Sequence, residues 1–151
     1  MNARLVAALC AAGALAAAAT PASAASKPKT IKKSYQVSLP VPYPMLETVP
    51  GGYGCNQGQE GVTRDTKTFT FPSNGTLVVS VAFAGDWDLY LYDSKGTMVG
   101  ASENDTSGSV SPDVEKVTFK KIKKGAKYQI QPCNWLGEKD GTVTYTFTPT
   151  K

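Results

Sequence analysis

The chain has 151 residues, no histidine, and 16 lysines and arginines against 12 aspartates and glutamates, a formal net charge of +4. This length allows one domain with a sizeable core, and the small positive charge requires no nucleic-acid partner. The lack of histidine excludes Ser-His-Asp and Cys-His catalytic arrangements and an ordinary catalytic zinc site. Acid–base chemistry would fall to carboxylates, lysines or tyrosines, and no recognisable catalytic constellation is present.

Residues 1–24 have the layout of a secretory signal peptide. Arg4 precedes the apolar run of residues 5–19, and the small-residue triplet "ASA" ends at Ala24. The run is shorter than the roughly 20 residues that cross a bilayer core. We therefore predict cleavage after Ala24, a secreted extracellular protein and no membrane span.

Residues 25–54 are expected to form a basic and proline-rich arm. The segment "ASKPKTIKK" at 25–33 is small, polar and basic, which is typical of a mobile tail. The alternation in "YQVSL" predicts one short strand, and the "PVPYP" run that follows imposes an extended path. The remaining residues, 55–151, are predicted to form the folded domain.

Two cysteines remain after removal of the signal peptide, Cys55 and Cys133. They allow one pairing, so the sequence predicts a Cys55–Cys133 disulfide in an oxidising compartment. The bridge would close a loop of about 77 intervening residues, which the chain-entropy model makes worth roughly 4–5 kcal/mol. A reactive thiol pair is the alternative, which the absence of a C-x-x-C motif disfavours.

From residue 66 onward, apolar side chains alternate with polar ones in six segments separated by turn sequences such as "PSNG", "DSKG" and "EKDG". Strict alternation indicates half-buried antiparallel strands, and many short strands with glycine-rich turns favour a β-sandwich or barrel. The shared parity within each segment predicts a core of Phe69, Phe71, Leu77, Val79, Val81, Phe83, Trp87, Leu89, Leu91, Val117, Phe119, Tyr128, Ile130, Val143, Tyr145 and Phe147.

The order of elements over about residues 66–149 resembles the bacterial pre-peptidase C-terminal domain family. A phenylalanine-alternating strand leads through a glycine turn and a valine-rich strand to "DWDLYL", an Asp-x-Asp-Leu-x-Leu element, and then to an acidic loop. The matching residues are Gly75, Asp86, Asp88, Leu89, Leu91, Gly96, Glu115, Gly125, Tyr128 and Tyr145.

The resemblance implies a secreted, jelly-roll-like antiparallel β-sandwich of a kind usually appended to an exoenzyme. Some members of the family adhere to substrates and some bind calcium. No catalytic domain precedes the module in this sequence, and Cys55, Cys133 and Trp135 lie outside the family pattern. We therefore expect a stand-alone, non-catalytic binding or accessory module. The alternatives are a secreted inhibitor, a structural envelope protein or, with least support, a carboxylate-based hydrolase.

Three interpretations apply to the neighbouring carboxylates Asp86 and Asp88, which share one face of a strand. They could bind calcium together with Glu103, Asp105 and Asp113, because this cation prefers six to eight oxygen ligands. They could instead accept hydrogen bonds from backbone N–H groups of the turn, which we favour. A glycosidase-like acid–base pair is the third interpretation.

Tyr90 and Tyr92 have the parity opposite to that of Trp87 and the core leucines, so they are expected on the outer surface of the sheet. With Trp135 they are the candidate ligand-binding residues. The expected partner is an extracellular protein or polysaccharide surface, and calcium is the one cofactor for which the residues offer ligands.

Overall fold

The computed structural model describes residues 29–42, 58–104 and 112–150. These residues form seven strands, paired antiparallel throughout, and no helix. The predicted all-β, antiparallel fold is therefore confirmed. The strands are β1 (Ile31–Ser38), β2 (Lys67–Thr70), β3 (Gly75–Tyr92), β4 (Met98–Ser102), β5 (Pro112–Ile122), β6 (Lys127–Gly137) and β7 (Asp140–Pro149).

The long strand β3 belongs to both layers of a curled, sandwich-like sheet. Its first part, residues 75–84, pairs with β5 on one side and β7 on the other, and β7 also pairs with β1. Its second part, residues 85–92, pairs with β4 and β6, and β6 also pairs with β2. We call the first group of strands layer A and the second group layer B.

The passage from layer A to layer B depends on two glycines. Gly85 of β3 lies opposite Gly137 of β6, and their φ angles are +122° and +115°. Such angles are rarely adopted by residues with a side chain. A Cβ at Gly85 would also lie 2.6 Å from the Cα of Gly137. The two segments predicted as separate strands on either side of Gly85 therefore form one 18-residue strand.

The core lies between the two layers and follows the predicted parity. Of the sixteen predicted core residues, fourteen are buried, and Phe69 and Phe119 are half-buried against the same cluster. Aromatic rings join the layers: the Phe71 and Phe147 centroids are 4.7 Å apart, and those of Phe69 and Tyr145 are 4.9 Å apart. The parity argument missed three core residues, Val37, Leu39 and Ile122.

The described part of the segment 25–54, residues 29–42, belongs to the sheet. β1 pairs with β7 along its whole length, and Val37 and Leu39 are buried in the core. The amide of Leu39 donates to the carbonyl of Lys139 over 2.6 Å, which continues the contact beyond the strand. The predicted signal peptide, the rest of the arm and Cys55 lie outside the described residues. Within the described ranges, no helix is long and apolar enough to cross a membrane.

Candidate functional site on the outer face of layer B

The residues singled out on β3 lie together on the outer face of layer B. The alternation that buries Trp87, Leu89 and Leu91 places Asp88, Tyr90 and Tyr92 on the opposite side of the strand. Cross-strand pairing then puts the side chains of β6 beside them, because Asp88 is opposite Cys133, Tyr90 is opposite Gln131 and Tyr92 is opposite Gln129.

Tyr90, one of the candidate ligand-binding residues, has a covered side chain in this structure. It is 2% exposed and forms a second buried cluster with Cys133, against which the half-buried rings of Tyr92 and Trp135 pack. Tyr90 lies on the outer face, as its parity predicted, but neighbouring side chains on that face cover the ring. Tyr92 and Trp135 are the candidates that retain exposed ring surface.

Asp88 accepts a hydrogen bond from the Tyr90 hydroxyl over 2.9 Å. Burial raises the pKa of Asp88 from 3.8 to about 6; the bond from Tyr90 opposes this rise, and repulsion by Glu103, Asp86 and Glu115 adds to it. Burial, followed by the negative charge of Asp88, also raises the pKa of Tyr90. The outer face therefore contains a carboxyl group whose protonation changes near neutral pH.

The favoured interpretation, in which backbone amides of the turn satisfy the carboxylate, is wrong for Asp88, whose partner is a phenol. That role belongs to Asp93 in the turn between β3 and β4. Its Oδ1 accepts the backbone N–H groups of Lys95 and Thr97 over 2.9 and 3.0 Å, and these bonds lower its pKa. A residue outside the predicted pair thus stabilises the turn.

The proposed calcium ligands occupy different environments. Asp86 is buried, Glu103 is exposed, and Asp113 lies on β5 in layer A, where its Oδ1 accepts the N–H of Val114 over 2.6 Å. Asp105 lies outside the described residues. Within the part of the chain that the structure describes, no group of three or more Asp, Glu, Cys or His residues could hold a metal ion.

Glu115 is a fully buried carboxylate with partners of its own. It accepts hydrogen bonds from the Ser102 hydroxyl and from the backbone and side-chain nitrogens of Asn104, the latter two over 3.3 and 3.0 Å. These contacts connect the end of β4 to β5. Because buried polar groups require such hydrogen bonds, we assign Glu115 a structural role at the edge of the core.

Beside Tyr92 the outer face of layer B contains a groove of about 530 Å³. Two outward glutamines of β6 and the Tyr92 ring line it from the sheet. The loop before β2 lines one side and the β3–β4 turn the other. The groove is lined by Glu60, Arg64, Thr66, Tyr92, Gly96, Gln129 and Gln131, and we call it the layer-B groove.

A chain of polar contacts holds the side chains of the layer-B groove in place. The Gln131 amide nitrogen donates to the Thr66 hydroxyl over 2.9 Å, and this hydroxyl donates to Glu60 Oε2 over 2.8 Å. Arg64 Nε lies 3.4 Å from the same carboxylate oxygen. With its nitrogen facing Thr66, Gln131 is left with a buried amide oxygen that has no hydrogen-bond partner.

The loop that carries Glu60 and Arg64 is fixed to β6 by backbone bonds. The carbonyl of Gln59 accepts the N–H groups of residues 62–64, which closes a tight loop. Asn134 N–H then donates to the Thr63 carbonyl over 2.9 Å, and Asp65 N–H donates to the Pro132 carbonyl over 3.1 Å. These bonds extend the β2–β6 pairing and position the loop beside Gln131.

Sequence reasoning did not identify most of the groove. Parity in "KYQIQ" could have found Gln129 and Gln131, because the inward positions there are Tyr128 and Ile130. Glu60 and Arg64 lie in a stretch without strand alternation, so no pattern connected them with β6. Among known proteins, no family model matches this chain, and no curated protein matches it.

Proposed function

We propose that the protein is a secreted, non-catalytic binding module with a domain of the pre-peptidase C-terminal type. The observation that supports it most is the layer-B groove. It combines a half-buried aromatic ring with amide, hydroxyl, guanidinium and carboxylate groups on a sheet. Concave sites with a few well-placed polar groups are the usual form of ligand sites, and a sheet keeps their geometry fixed.

The proposal includes the Cys55–Cys133 disulfide of an extracellular protein. Cys133 is fully buried on β6, and the loop of residues 58–64 lies against it, since Arg64 forms a β-bridge with Cys133. Cys55 precedes the buried Gly58 by three residues, which span at most about 10 Å. The bridge would hold the beginning of the groove loop against β6.

Retention on extracellular materials tests the proposed function. The chain from residue 25 onward is incubated with isolated bacterial cell wall, type I collagen or insoluble chitin, and the bound fraction is measured. We expect retention on at least one of these, and weaker retention of Tyr92→Ala than of Gln36→Met, a change of an exposed residue on the outer face of layer A. Equal passage of the protein and an unrelated β-sandwich through all three would contradict the proposal.

A further inference from the structure

We infer that the layer-B groove binds a neutral polysaccharide chain through its hydroxyl groups. This inference rests on the proposed binding function and names the class of ligand. It follows from four properties of the groove: an unused acceptor, mutually paired charges, an aromatic ring, and a floor whose backbone is already hydrogen-bonded.

The unused acceptor is the amide oxygen of Gln131. This residue is 5% exposed, lines the groove and is oriented by the bond from its nitrogen to Thr66. Leaving a buried acceptor without a donor is unfavourable. Because this oxygen is buried, a ligand hydroxyl would donate to it only after the Gln131 side chain or the groups that cover it shift. Such a donor would satisfy the acceptor, which favours ligands rich in hydroxyl groups.

The charged residues at the groove already compensate one another. Arg64 Nε lies 3.4 Å from Glu60 Oε2, and the next pair along the chain, Lys67 and Asp65, has an N–O distance of 3.7 Å. Glu60 and Arg64 are the charged residues of the lining, so the lining carries no net charge. The balance therefore favours a neutral ligand, for which Arg64 acts as a donor and Glu60 as an acceptor toward hydroxyl groups.

Tyr92 provides apolar surface of the kind that a sugar ring can cover. Its half-buried ring packs near that of Tyr90, with 6.4 Å between the centroids, so it is supported from the sheet. An aromatic ring offers a large apolar surface together with a polar hydroxyl at little cost in conformational entropy. A sugar has the same combination of apolar C–H faces and polar edges.

The floor of the groove does not suit a peptide that binds by strand addition. That mode requires the free edge of a sheet. The floor residues Gln129 and Gln131 lie on β6, whose backbone pairs with β2 on one side and β3 on the other. Recognition at the floor therefore depends on side-chain amides, which suit hydroxyl groups.

The dimensions of the groove agree with a segment of a sugar chain. Its volume of about 530 Å³ lies in the usual range of small-ligand sites, about 300–1,000 Å³. The groove loop lies beside β2 and the opposite wall follows β3, so the walls are about two strand spacings apart, roughly 10 Å.

Titration calorimetry with defined oligosaccharides tests the inference. The probes are cellohexaose, laminarihexaose, chitohexaose and mannohexaose, with polygalacturonate as an anionic polymer and collagen as a protein. We expect binding to at least one neutral oligosaccharide, weakened about tenfold or more by Gln131→Met and by Tyr92→Ala, which corresponds to about 1.4 kcal/mol. Tyr92→Phe should bind like the unaltered protein, because it keeps the ring.

The matched control is Gln36→Met, the same chemical change at an exposed glutamine of β1 in layer A, and it should leave affinity unchanged. Each variant is first compared with the unaltered protein by thermal melting. If Tyr92→Ala does not fold, the comparison of affinities relies on Gln131→Met, because this change keeps the side-chain volume and removes the unpaired acceptor.

The binding results distinguish a wrong ligand class from a wrong site and from a wrong binding function. Binding to collagen or polygalacturonate without binding to any neutral oligosaccharide would overturn the assigned ligand class and leave the binding function intact. Binding to a neutral oligosaccharide that neither groove variant weakens would overturn the assigned site. A lack of binding to every probe, and to cell wall and chitin, would overturn the proposed function as well.

Discussion

The two faces of β3 in layer B differ in what their neighbours provide. The inner face places Trp87, Leu89 and Leu91 among other apolar side chains, and all three are buried. The outer face, from the same stretch of chain, combines a carboxyl of raised pKa at Asp88, a covered phenol at Tyr90 and a half-buried ring at Tyr92. One strand thus supplies both hydrophobic stability and specific polar chemistry.

The inner and outer residues of β3 are therefore under different physical constraints. The inner residues are constrained by packing between two layers, so changes there act mainly on the free energy of unfolding. The outer residues pack against side chains of β6 and border the layer-B groove, so changes there should act mainly on binding and on the pH dependence of stability.

The proposed disulfide would make the outer face contribute to stability as well. The chain-entropy model expects a loss of roughly 4–5 kcal/mol on reduction, although measured bridges often give less. The intact mass of the protein, with and without reductant and thiol alkylation, establishes whether the bridge is present. Two free thiols in the unreduced protein would show that Cys133 is covered without being bridged to Cys55.

Leu89→Ala tests the inner face. Leu89 is fully buried between the layers, so truncation should lower the free energy of unfolding by about 2–5 kcal/mol. The control is Leu136→Ala, because Leu136 of β6 is 49% exposed and should lose no more than about 0.5 kcal/mol. Urea unfolding measures the free energy of unfolding of both variants. Similar losses would mean that burial at Leu89 contributes no more to stability than the exposed position does.

Gly85→Ala tests the corner between the layers. A side chain at φ +122° is strained and meets the backbone of β6, so we expect a loss of about 1–3 kcal/mol or more. Gly96→Ala is the control for the left-handed conformation alone, because its φ is +75° and a Cβ there meets nothing within 4 Å. Equal losses in the free energy of unfolding would indicate that the positive φ angle, and not the close approach of β6, is what disfavours a side chain at Gly85.

Asp88→Asn tests the pH dependence of the outer face. The pKa of Asp88 is raised from 3.8 to about 6 in the folded protein, so the folded state binds its proton more tightly than the unfolded state does. Its contribution is present in full below pH 3.8 and is lost as the pH rises through about 6. Allowing for solvent at this half-buried group, the change is on the order of 1 kcal/mol.

Asp88→Asn should therefore gain stability relative to the unaltered protein above this window and lose that advantage below it, as measured by urea unfolding at several pH values. Asp93→Asn provides a control of opposite sign, because the pKa of Asp93 is lowered by backbone hydrogen bonds. Its contribution is present at higher pH and is lost as the pH falls. A difference between the Asp88→Asn and unaltered proteins that does not vary with pH would contradict the assignment.

The inner face was predictable from the sequence because it depends on local alternation. Every second residue from Leu77 to Leu91 points inward, and parity assigned Trp87 and Leu89 correctly on the far side of Gly85. β4 was not predicted, since "MVGAS" has no clear alternation. Local pattern therefore established the class of fold and most of the core.

The outer face was less predictable because its properties arise from residues distant in sequence. Tyr90 is covered by neighbours from β6, and the amide of Gln131 is oriented by Thr66, 65 positions earlier in the chain. The sequence indicates that the Asp88 carboxylate needs a hydrogen-bond partner. It does not indicate that this partner is Tyr90. The pairing of strands decides such contacts, and a single sequence contains no signal for them.

The most direct test of the account maps the ligand onto the two faces of the molecule. Backbone amide chemical shifts of the labelled protein are followed while the oligosaccharide that binds best in calorimetry is added. We expect changes concentrated at Tyr92, Gln129, Gln131 and residues 60–66, with the outer face of layer A unaffected. Changes concentrated on layer A, around Ser34, Ser80 and Thr144 for example, would contradict the claim that the outer face of layer B is the functional surface.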